Sequence, residues 1–122
     1  MLKIKRAYEP VESTDGKRIL IDRLWPRGVS KSEAHIDEWL NDLAPSTELR
    51  TWFGHDPQKW EEFKRKYTKE LSSPDKARLL EDIARRARRE TITLIYGAKD
   101  TEHSDVKVLE ELLRRNREKA PV

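Results

Sequence analysis

Three clusters in this 122-residue chain carry the side chains best suited to chemistry. The first is Ile19-Leu20-Ile21-Asp22-Arg23-Leu24-Trp25-Pro26-Arg27-Gly28, an apolar, β-branched run that passes without a linker into an aspartate, two arginines and an indole. In an open α/β sheet, ligands bind in the crevice beyond the carboxyl ends of the strands. Arg23 and Arg27 offer guanidinium forks that fit phosphate or carboxylate, Asp22 can orient one of them, and Trp25 can wall the pocket. The same residues also fit a plainer role, an Asp–Arg pair pinning the loop. The second cluster, Trp52-Phe53-Gly54-His55-Asp56-Pro57, displays His55 on a loop between a helix stop and a helix start. An imidazole titrates near neutrality and suits general acid–base work; the alternative is an exposed loop histidine, or one that packs on Trp52 and satisfies a helix end. The third, Tyr96-Gly97-Ala98-Lys99-Asp100-Thr101-Glu102-His103, is another strand exit leading into a helix, whose free N–H groups attract anions. Lys99 and His103 stand beside that positive end, unless Asp100 or Thr101 is simply an N-cap and Lys99 is solvated. Asp22, His55 and His103 are thus the catalytic candidates. Arg6, Arg23, Trp25, Arg27, Tyr96 and Lys99 are the ligand-binding ones.

The elements that must position these residues follow from periodicity and punctuation. Residues 2–8 alternate as a half-buried strand, Asp15-Gly16 marks a turn, and residues 18–24 form the next strand. Ser30 to Glu33 matches a capping box and predicts a short helix burying Ile36, Trp39, Leu40 and Leu43, with His35 structural. Ser46 caps a helix that Gly54 stops, and Asp56-Pro57 and Ser73-Pro74 are further starts. Trp60, Phe63, Tyr67 and Leu71 make one apolar stripe; Leu80, Ile83, Ala84 and Ala87 make another. Residues 91–96 read as a strand, and residues 102–118 as a last helix. Helices between strands predict a layered α/β domain, its sheet mainly parallel, over residues 1–118. The last four residues, 119–122, are expected to fray. The first connection is too short for a helical crossover, so an antiparallel hairpin and a parallel pair both remain open for the first two strands.

Composition narrows the function classes. There is no cysteine, which removes thiol nucleophiles, disulfides and thiolate metal sites. Neither phosphate-loop nor dinucleotide glycine motifs occur, no GxSxG turn supports a serine triad, and no fixed ligand spacing predicts a metal, so no cofactor is expected. A charged N-terminus and the lack of a long apolar run predict a soluble cytoplasmic protein without a membrane partner. The net charge of +3 favours anionic partners weakly, because 26 bases are interspersed with 23 acids. Arg85-Arg86-Ala87-Arg88-Arg89 invites a nucleic-acid reading, but cations also suit the end of a helix.

The blocks Asp22-Arg23-Leu24-Trp25-Pro26-Arg27-Gly28, Ala44-Pro45-Ser46, Trp52-Phe53-Gly54-His55-Asp56-Pro57 and 96–103, with the opening Lys5-Arg6-Ala7-Tyr8, resemble the short YeaO-like branch of the family named domain of unknown function 488. The resemblance covers nearly the whole chain and implies a small three-layer α/β domain with no assigned reaction. The broader family commonly carries cysteine and Cys-His-Arg around the last strand exit. Tyr96 and His103-Ser104-Asp105 stand here instead, so a thiol mechanism is out of reach. The branch often has Asn after the histidine, where this chain has Ser104. Two functions follow: a pocket that binds, and can transform by acid–base chemistry, a small anionic or phosphorylated ligand, or a nucleic-acid-binding or regulatory module using Arg-rich helix surfaces.

Overall fold

The computed structural model describes residues 1–119 of the chain. Four strands form one parallel sheet: β1 (Leu2–Arg6), β2 (Lys17–Leu20), β3 (Glu38–Trp39) and β4 (Ile92–Tyr96), in the order β1-β4-β2-β3. The first two strands therefore do not pair with each other. Both flank β4, with Leu2 and Lys17 opposite Ile92 and with Ile4 and Ile19 opposite Leu94. The parallel sheet expected from helices between strands is present. The helices are α1 (Lys31–Ala34), α2 (Thr47–Phe53), α3 (Trp60–Leu71), α4 (Pro74–Ala87) and α5 (Asp105–Lys119).

Register sorts the sheet into two unlike faces. Leu2, Ile19, Ile21, Ile92, Leu94 and Tyr96 share one face and pack on Phe53, Phe63, Tyr67, Ile83 and Leu109 of the helices. The opposite face carries Lys5, Arg18, Leu20, Thr93 and Ile95 under a cover of loops, a 3-10 turn at Ser13–Asp15, and α1. There Asp15, wholly buried, accepts from Lys5 Nζ at 3.0 Å and from Arg18 Nη1 at 2.6 Å. Burial pushes the Asp15 carboxyl up, but the Glu12 N–H and the two cations outweigh it and hold the group below its ordinary value. Thr93 Oγ1 donates to the Asp15 carbonyl, and Arg18 Nε to the Ala34 carbonyl, so the turn and α1 are both fastened to the sheet.

Ser46, Asp56-Pro57 and Ser73-Pro74 open helical segments as expected, the second through one 3-10 turn before α3. Three expectations are corrected. The helix after Ser30 ends at Ala34: His35 takes a left-handed φ of 48°, and the chain continues as β3. The open edge of β2 captures it, with Asp37 N–H donating to Arg18 and Leu40 N–H to Leu20. Ile36, Trp39 and Leu40 thus pack from a strand and its flanks rather than from a helix. β2 itself ends at Leu20, so Asp22 and Arg23 lie in the exit loop. The last helix begins at Asp105 rather than Glu102, because Asp100 caps a tight turn by accepting from the N–H groups of Glu102 and His103. It runs through Lys119; residues 120–122 of the expected frayed tail lie outside the described residues.

A crevice at the carboxyl edge of the sheet

Parallel strands share their carboxyl end, so the exits of β2 and β4 emerge side by side. Asp22 Oδ2 accepts from the Gly97 N–H at 2.8 Å and stitches the two exits together. A side chain at position 97 would crowd that oxygen, since a Cβ there would stand 3.2 Å from it. Arg6 supports the β4 exit from behind, donating Nε to the Ala98 carbonyl at 2.9 Å and Nη2 to that of Gly97.

Above this edge lies a cavity of about 730 Å³ lined from the β2 exit, α2, the loop after it, the β4 exit and the start of α5. Six of the nine candidates line it: Asp22, Arg23, Trp25, Arg27, His55 and His103. Arg23, exposed, donates to Thr47 Oγ1 of α2 at 2.8 Å. Trp25 is locked by an indole N–H bond to the Val29 carbonyl and by an edge contact with Trp39, centroids 5.6 Å apart. His55 follows Gly54 and holds a left-handed φ of 56°, a conformation that costs a non-glycine residue on the order of 1 kcal/mol. His103 Nδ1 bonds Asp100 Oδ2 at 2.9 Å, and its ring stands perpendicular to that of Trp60, centroids 5.4 Å apart. The bonds from His103, backbone first, hold the Asp100 carboxyl below its ordinary value.

The other three candidates lie elsewhere. Arg6 is behind the β4 exit, Tyr96 is buried in the helix-side core, and Lys99 is exposed outside the cavity lining. Among the further residues at the cavity, Thr47, Arg50, Ser104 and Asp105 carry polar groups that matter here. A signal for two of them was available, because Thr47, Arg50 and Thr51 recur at helical spacing opposite Leu49 and Phe53. Asp105 carried none, since its interest comes from burial. Desolvation first, and the neighbouring Asp22 carboxylate second, push its carboxyl up to about 7, while Arg50 and local N–H groups oppose the shift. Asp22 is also raised by burial, against the Gly97 N–H and Arg50. Ser104, nearly wholly buried, leaves its Oγ without a partner among the described residues. No group of three or more potential metal-ligating side chains occurs among the described residues, and no described helix is long and apolar enough to cross a membrane.

Comparison with known proteins gives the context. The family model described as "Inactive DUF488-N3 subclade" matches residues 1–121. The chain is 40% identical to the Escherichia coli (strain K12) protein described as "Uncharacterized protein YeaO", over 93% of this chain and 96% of that one. It is 36% identical to "Uncharacterized protein Rv3073c" of Mycobacterium tuberculosis (strain ATCC 25618 / H37Rv), over 92% of each. No solved structure matches the chain.

Proposed function

The chain belongs to the DUF488 family, in the subclade described as inactive, and from that premise we propose that its crevice binds a small anionic ligand rather than transforming one. The observation that carries this reading is that Arg23, Arg27 and Arg50 all line one cavity at the carboxyl edge of a parallel sheet. Guanidinium groups are the side chains best matched to phosphate and carboxylate oxygens. The volume falls within the range of about 300–1,000 Å³ that is usual for small-molecule sites. His55 and His103 add imidazole groups, and neither is bonded to Asp22 in the manner of a catalytic relay. Trp25 and Phe53 supply apolar wall.

The arginine-rich end of α4 lends less to a nucleic-acid role. Arg86 clasps Glu38 with two bonds, at 3.2 and 2.5 Å, and Arg85 pairs with Asp82 at 2.6 Å. Counter-paired guanidinium groups are poor phosphate seekers, because the existing partner must first be displaced.

Thermal unfolding with increasing inorganic phosphate tests the proposal. A saturable rise is expected, growing with RT ln(1 + [L]/Kd). Arg23→Ala and Arg50→Ala, both at exposed positions, should each weaken binding about tenfold or more while shifting unliganded stability by under about 0.5 kcal/mol. Binding to mixed-sequence DNA with a steep loss between low and moderate salt, and no phosphate effect, would instead favour the regulatory module.

A further inference from the structure

The inner side of the cavity does not match a simple anion. Asp22 and Asp105 both line it, close enough for the Asp22 carboxylate to raise the affinity of Asp105 for a proton, and Asp22 uses one oxygen on Gly97 while Oδ1 has no partner among the described residues. No side chain bonds the Asp105 carboxyl among the described residues. Ser104 adds a buried hydroxyl with unfilled hydrogen-bonding capacity at the same place. A buried hydroxyl without a partner costs free energy that a complementary ligand recovers, and the two half-buried carboxylates keep further capacity to accept. These oxygens ask for donors, whereas the exposed arginines on the outer side ask for an anion.

We propose, building on the anion-binding reading above, that the ligand is a phosphate ester of a polyol, its hydroxyl groups on Asp22, Asp105 and Ser104 and its phosphate on Arg23, Arg27 and Arg50. The shared chemistry is a sugar phosphate, either free or as part of a nucleotide. Hydroxyl groups fit the inner side better than an ammonium group for an electrostatic reason. Arg50 already faces both carboxylates, and burial raises the proton affinity of each. An added cation would meet Arg50, while a hydroxyl both donates to a carboxylate and accepts from a protonated one or from serine. The cavity is also far larger than inorganic phosphate needs, and Leu24, Trp25, Pro45 and Phe53 offer apolar surface for sugar carbons.

Calorimetric titration of the full chain with inorganic phosphate, ribose 5-phosphate, adenosine monophosphate and phosphoethanolamine distinguishes the cases. Ribose 5-phosphate should bind at least about tenfold more tightly than inorganic phosphate. Asp105→Ala should collapse that ratio to within about threefold. Asp105→Asn gives the same reading should the alanine variant fail to fold. A nucleotide source would appear as tighter binding of the monophosphate than of ribose 5-phosphate, and the reverse order would indicate a free sugar phosphate; either order supports the proposal. Equal binding of phosphate and ribose 5-phosphate, or a ratio that survives in both Asp105 variants, overturns it while leaving the anion-binding reading intact. Preference for phosphoethanolamine overturns the hydroxyl assignment in favour of an ammonium. Failure of every phosphate to bind overturns the anion-binding reading itself, and this proposal with it.

Discussion

At the scale of single residues, Asp105 is a group whose surroundings strongly change its behaviour. Its folded-state value of about 7 lies above the 3.8 of an ordinary aspartate, because burial and the Asp22 carboxylate both disfavour its charge. The folded state therefore binds a proton that the unfolded chain has released between those two values. By linkage, this contribution makes stability fall as pH rises from about 4 to about 7 and stay flat above. At about 1.4 kcal/mol per unit, the effect is on the order of 2–4 kcal/mol. Asp105→Asn, which keeps the shape and removes the titration, should flatten that slope and raise the melting temperature at pH 8. Urea unfolding of both proteins across pH 4–8 measures it; parallel curves would show that Asp105 titrates normally. The groups facing it, Asp22 and Arg50, remain in both proteins, so the difference isolates one carboxyl.

At the scale of elements, short polar contacts fix where helices and strands begin. Ser46 Oγ accepts from the Leu49 N–H at 3.1 Å as the cap of α2 and donates to Glu70 Oε2 of α3 at 2.6 Å. The Ser46 N–H meets the same carboxylate at 2.9 Å, so one residue sets the angle at which α2 presents Thr47 and Arg50 to the crevice. Ser46→Ala should cost about 1–2 kcal/mol in chemical denaturation and weaken phosphate binding without touching a ligand. Gly16 opens β2 with a φ of 64°, and a Cβ there would stand 2.2 Å from the Thr91 carbonyl oxygen. Gly16→Ala should cost at least about 2 kcal/mol, because backbone rather than a movable side chain must yield. On α3 the aromatic stripe divides. Phe63 and Tyr67 are in the core, whereas Trp60 is half-buried, stacked 5.7 Å from Phe63 with His103 perpendicular to it. Phe63→Ala should cost about 3–5 kcal/mol, with Trp60→Ala below that range, by the same melting experiment.

At the scale of the whole molecule, two cores of opposite character hold the sheet. The helix side is apolar, and the loop side is organised around the buried Asp15 between Lys5 of β1 and Arg18 of β2. Because β4 separates those strands, Asp15 bridges the sheet across its central strand and also ties in Thr93 of β4 through its carbonyl. Removing the carboxylate would leave two buried cations without their shared partner, a loss of about 3–5 kcal/mol for Asp15→Ala. Its lowered carboxyl value has the opposite pH consequence to Asp105. The stability it contributes is present above the ordinary aspartate value and is lost as pH falls below it. Acid unfolding should therefore begin on the loop face, and amide exchange at Ile19 and Thr93 should accelerate before that at Ile83 and Leu109 as pH drops.

Local chemistry alone determined much of this protein. Ser46 starts a helical segment by its side-chain cap, Asp56-Pro57 by cap and proline together and Ser73-Pro74 by its proline, all acting within a few residues of themselves, and β-branching made β4 legible in the same way. The blocks ending β2 and β4 also showed that polar clusters stand at strand exits. Tertiary structure decided the rest. β3 exists because the edge of β2 was open, a fact about distant backbone that overrode the helical spacing of Ile36 and Leu40. The insertion of β4 between β1 and β2 placed the two exits side by side and left Arg6 and Lys99 outside the crevice their neighbours line. Arg50 and Asp105 joined it through the packing of α2 and α5, and Asp105 acquired its altered proton affinity from burial beside a residue 83 positions away in sequence. Charge, spacing and capping are properties of neighbours along the chain. Desolvation and the meeting of like charges depend on neighbours in space, and the sheet order alone supplies those.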